Sequence, residues 1–74
     1  ADTALEARIA ELATGSVTEA YLIKDKQQRY KRLDEIRQQI AETIAAEREE
    51  LKSEAIAEVL GNLEKTIVRN RILD

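Results

Sequence analysis

Between Lys24 and Arg37 the stretch KDKQQRYKRLDEIR sets six basic residues against three acidic ones. Ammonium and guanidinium groups at helical spacing neutralise the phosphates of a single strand, and a neighbouring aromatic ring stacks on an unpaired base. Lys24, Lys26, Arg29 and Arg32 are therefore the candidate RNA contacts, the last three recurring at a spacing that shares one side of a helix. A solvated helix face accounts for the same charges without a ligand. Tyr30 also begins an apolar stripe, which assigns its ring to the core or to the end of a hairpin. A second basic group lies in the closing run LEKTIVRNRILD. There Lys65 and Arg69, four residues apart, lie one above the other, and Arg71 is shifted round the helix. Cations in a last helical turn gain from the helix dipole with no ligand at all.

Carboxylates offer a different chemistry. Glu47, Glu49 and Glu50, with Glu54 and Glu58, supply oxygen ligands of the kind a hard cation takes. The turn glycine and alternating ligand positions of a calcium loop are missing, so solvated helix-end carboxylates are the better reading. The chain has no cysteine and no histidine, which removes thiolate nucleophiles, imidazole bases and the usual zinc sites. No glycine-rich loop forms a phosphate cradle. No residue is expected to be catalytic, to bind a cofactor or to ligate a metal.

Helices must carry these groups. Thr3 and Glu6 fit a capping box, and Leu5, Ile9 and Leu12 mark a helix to about Thr14. Gly15 and Ser16 are expected to end it, followed by one or two helical turns that carry Tyr21 and Leu22 inward. Asp25 is placed to cap a long helix reaching about Glu49, with Tyr30, Leu33, Ile36 or Arg37, Ile40 and Ile44 on one face. Asp34 lies three residues before Arg37, and Glu35 neighbours Arg32, at separations where opposite charges meet. Ser53 is expected to cap the last helix, whose stripe is Ile56, Val59 or Leu60, Leu63, Ile67 and then Ile72 or Leu73. Gly61 falls inside that stripe. Since the phase is kept across it, one continuous helix is expected, the glycine admitting a neighbouring helix closely. The fold class is all-α, a small bundle of three to four helices dominated by a long antiparallel hairpin.

Composition sets the limits. Seventy-four residues, 43% of them hydrophobic and 36% charged, with no proline, give one domain with a small core. A net charge of -3 argues against a self-sufficient binder living on phosphate neutralisation. The apolar runs are too short to cross a membrane, and no secretion signal opens the chain. A helical interaction module, dimerising through the Tyr30 to Ile44 stripe, is the alternative function.

The pieces ALEARIAELATGSVTEAYLIKDKQQRYKRLDEI and LGNLEKTIVRNRIL resemble the helical domain of bacterial polyribonucleotide nucleotidyltransferases. AYLIKDKQQRY and LEKTIVRNRIL carry most of that resemblance, and AAEREELKSEAIAEV is unspecific. The resemblance implies a single domain, residues 1–74, taken from between two ribonuclease PH-like domains of a longer cytoplasmic chain. It further implies a homotrimeric, phosphate-dependent 3′-to-5′ exoribonuclease that degrades single-stranded RNA with Mg2+ and inorganic phosphate. The catalytic residues of such an enzyme match no position here. Glu64, Lys65, Arg69 and Arg71 match the closing pattern, and the three cations are candidates for the junction with the next domain.

Overall fold

Asp25 sits with extended backbone angles (φ -71°, ψ 121°), and its side chain accepts a hydrogen bond from the Gln28 amide at 3.0 Å. That bond satisfies one of the free donors at a helix start, and α2 follows as Lys26–Glu47. The computed structural model describes residues 3–73, with side chains described as far as Asn70. Within them α1 is Thr3–Tyr21 and α3 is Ser53–Leu73, and no strand occurs among the described residues. Four residues separate α1 from α2 and five separate α2 from α3. Long helices that pack together across such short turns run antiparallel, so the bundle is up-down-up.

α1 does not stop at Gly15. Neither glycine has a positive φ, and the left-handed conformation that makes glycine a helix terminator is therefore not used. The buried positions Leu5, Ile9, Ala13, Val17 and Ala20 keep phase straight through it. A helical glycine costs about 1 kcal/mol against alanine, less than the burial of Val17 returns. The hydroxyls beyond the glycine turn back onto the helix: Ser16 donates to the Leu12 and Ala13 carbonyls, and Thr18 to that of Thr14 at 2.6 Å. The expected short follower is thus the end of α1, and the bundle has three helices. The real terminus is tightened by hydrogen bonds from the Leu22 amide to the Glu19 carbonyl and from the Ile23 amide to the Ala20 carbonyl.

The core unites the α1 stripe with Leu33, Ile36, Ile40 and Ile44 of α2 and Ile56, Leu60 and Ile67 of α3. Tyr21 packs against it as expected. Leu22 and Tyr30 do not, being 62% and 53% exposed. Leu22 lies past the end of α1, and Tyr30 lies one turn before Leu33, near the end of the bundle. Because Leu33 to Ile44 is buried inside one chain, that face is not free to serve as a dimer seam.

α2 ends at Glu47, where the Arg48 amide donates to the Ile44 carbonyl at 2.7 Å and the backbone leaves helical angles. At the start of α3 the Lys52 carbonyl accepts from the Ala55 and Ile56 amides. Lys52 is therefore the cap residue, and Ser53 is the first helical residue. α3 is continuous through Gly61. No neighbouring helix approaches that glycine closely, because an added Cβ would meet nothing within 4 Å. Gly61 instead helps line an apolar groove of about 320 Å³ between α2 and α3. The side chains of Ile72 and Leu73 lie outside the described ones.

Candidate nucleic-acid interface

In an up-down-up bundle the end of α1, the start of α2 and the end of α3 share one end of the molecule. The two basic groups, separate in sequence, therefore belong to that end. Lys24 stands exposed in the α1–α2 turn, Lys26 in the first turn of α2, and Lys31 and Arg32 one to two turns on. Lys65 and Arg69 are exposed on the last described turns of α3, and the side chain of Arg71 lies outside the described ones.

Arg29 ties the turn down. Its Nη1 donates to the Ile23 carbonyl at 3.0 Å, which leaves most of the guanidinium donors unused. Tyr30, Lys26 and Arg29 come together: the Lys26 Nζ lies 5.8 Å from the Tyr30 ring centroid and the Arg29 Cζ 5.7 Å. Both are within cation–π reach. Arg32 turns away to Glu35, Nη1 to Oε2, at 3.4 Å. Among the described residues Lys24, Lys26 and Lys31 enter no ion pair.

Helix electrostatics distinguish the two basic groups. Lys65 and Arg69 lie toward a C-terminus, where cations stabilise the helix. Lys26 and Arg29 lie in the first turn of α2, which contains no acidic residue. There they add to the positive end of the dipole and weaken the helix by a few tenths of a kcal/mol, so helix stability does not account for them. The Asp25 carboxylate already caps that N-terminus, so an approaching phosphate meets the side-chain cations instead of a free helix end.

Other charges are committed to the fold. Arg8 on α1 grips Glu47 on α2 with two bonds, Nε to Oε1 at 2.9 Å and Nη2 to Oε2 at 2.6 Å, and reaches Glu11 at 3.1 Å. Hydrogen bonding from Arg8 holds the Glu47 carboxyl below its ordinary range, and hydrogen bonding to Glu47 raises the arginine. Arg37 on α2 grips Glu64 on α3 in the same two-pronged way, and it meets Asp34 at 2.9 Å as the spacing predicts. The Glu64 bond is the main cause of the rise in the Arg37 pKa. Glu64, a position of the closing pattern, is 8% exposed and so is an interhelical tie. Its place between Leu60 and Ile67, in the apolar phase of α3, was the available sign of a buried charge. Among the described residues no three carboxylate, histidine or cysteine side chains converge as a metal site. No helix among the described residues is long and apolar enough to cross a membrane.

Comparison with known proteins adds to this geometry. Residues 4–74 match the family profile described as polyribonucleotide nucleotidyltransferase, RNA binding domain. Proteins named polyribonucleotide nucleotidyltransferase from the Corby and Paris strains of Legionella pneumophila are each 58% identical over 73 residues. The alignments cover 99% of this chain and 10% of each relative, and the protein from the Philadelphia 1 strain gives the same figures. The chain thus spans about a tenth of the length of the curated relatives it matches.

Proposed function

The chain belongs to the RNA-binding-domain family of polyribonucleotide nucleotidyltransferases, and on that basis we propose that it contacts single-stranded RNA through the basic end of its bundle while performing no chemistry itself. Lys24, Lys26, Arg29 and Arg32 hold phosphates, and Lys65 and Arg69 face a neighbouring domain. The observation that carries this reading is the group of unpaired lysines where α2 begins, placed against the interest of the helix. In the longer protein the domain lies between two ribonuclease PH-like domains of a trimeric, cytoplasmic, phosphate-dependent 3′-to-5′ exoribonuclease. Mg2+ and inorganic phosphate belong to that enzyme, and no step involving them is assigned to residues of this chain.

Fluorescence anisotropy with a short unstructured RNA tests the contact. Replacing Lys24, Lys26, Arg29 and Arg32 together by glutamine should weaken binding. The same change should flatten the slope of log affinity against log salt by roughly 0.7 for each phosphate that is no longer neutralised. Undetectable binding by the unaltered chain at millimolar protein and low salt would remove the reading.

A further inference from the structure

We propose that Tyr30 is the stacking platform for one unpaired base of the bound strand, with the phosphates flanking that base on Lys26 and Arg29. This rests on the RNA contact proposed above and assigns the site a second component, one that reads the base. Among the described residues Tyr30 and Leu22 are the two large apolar side chains left exposed, and both adjoin the α1–α2 turn. At 53% exposed, the Tyr30 ring is open to solvent and free to meet a ligand. Two cations flank it, the Lys26 Nζ at 5.8 Å and the Arg29 Cζ at 5.7 Å from the ring centroid. Arg29 is held in place by the Ile23 carbonyl, so the site is partly ordered before a ligand arrives.

A lone ring beside cations suits a nucleotide better than an acidic peptide, because a nucleotide brings a flat aromatic face and an anion within a few ångströms of each other. A duplex hides its base faces. The expected ligand is accordingly an unpaired stretch, with little preference among the bases, since every base has a π-face.

The test is a cycle between ring and base, read by anisotropy. Unaltered chain and Tyr30→Ala are each titrated with a short unstructured RNA and with the same strand carrying abasic sites, folding of the variant being checked by circular dichroism. Tyr30→Ala should weaken binding of the intact strand by about tenfold and leave binding of the abasic strand unchanged. Its salt slope should match that of the unaltered chain, because the phosphate contacts remain. Tyr30→Phe, which keeps the ring, should restore what alanine loses. Equal loss on intact and abasic strands, or no loss, overturns the stacking role while the phosphate contact stands. Absence of binding by the unaltered chain overturns both.

Discussion

Arg37 and Glu64 meet edge to edge across the α2–α3 seam, Nε to Oε1 at 2.8 Å and Nη2 to Oε2 at 2.9 Å. The two partners are unequal, since the carboxylate side chain is 11% exposed and the guanidinium side chain 43%. Removing the arginine strands a nearly buried charge. Removing the glutamate frees an arginine that water and Asp34 still serve. Arg37→Ala should cost about 1–3 kcal/mol, with solvent screening of the exposed partner keeping it toward the lower end. Glu64→Leu should cost less than Arg37→Ala, and Arg37→Met with Glu64→Leu should recover much of the loss. Urea unfolding of the four chains measures this directly.

Both glycines are open helical positions. Gly15→Ala and Gly61→Ala should each stabilise the chain by about 1 kcal/mol, because an added Cβ meets nothing within 4 Å at either site and no positive φ is lost. They lie on different helices without a shared neighbour, so the gains should add. Thermal melts of the single and double variants decide it, and destabilisation by Gly61→Ala would mean that another chain segment approaches α3 there.

Acid acts through Glu47. Its folded pKa is below the ordinary value of 4.5 because Arg8 hydrogen-bonds the ionised form. Between the two values the unfolded chain binds the extra proton, so this contribution is complete above pH 4.5 and is lost as pH falls through the depressed value. Glu47→Gln should lower the neutral plateau slightly, both partners being exposed, and make the acid limb shallower. Urea midpoints followed from neutral pH downward show the difference.

Lys26 should reveal a conflict between stability and binding. Replacement by glutamine removes a cation from a helix N-terminus and should raise stability by about 0.3 kcal/mol. The same change should weaken RNA binding and reduce its salt dependence. Arg69→Gln should do the opposite to stability, since its charge favours a C-terminus. A melt and a titration on each variant test both arms.

Asp25, the stripe from Leu33 to Ile44 and the continuity of α3 through Gly61 were legible because each depends on residues within a few positions of one another. Gly15 with Ser16 carries the signature of a helix end, but tertiary burial of Ala13, Val17 and Ala20 overrides it. Alanine is a weak apolar signal, which is why that stripe fades in the sequence just where it decides the outcome. The exposure of Tyr30 follows from its place at the end of the bundle, which its spacing from Leu33 does not reveal. Arg8 with Glu47 and Arg37 with Glu64 span 39 and 27 residues, and no local pattern encodes such pairs. The pairing of Arg32 with Glu35, three residues on, was by contrast legible locally.

The survival of α1 through Gly15 also determines where the path leads. Three antiparallel helices are an odd number of passes, so the backbone comes in at Thr3 on one side of the bundle and reaches Leu73 on the other. Had the chain folded back at the glycine, a fourth pass would have returned it to the side where it started. Each pass covers about 30 Å at the helical rise, along a body whose longest dimension is 37 Å. Segments joined at both ends would be held apart by that span, as by a strut instead of a clasp.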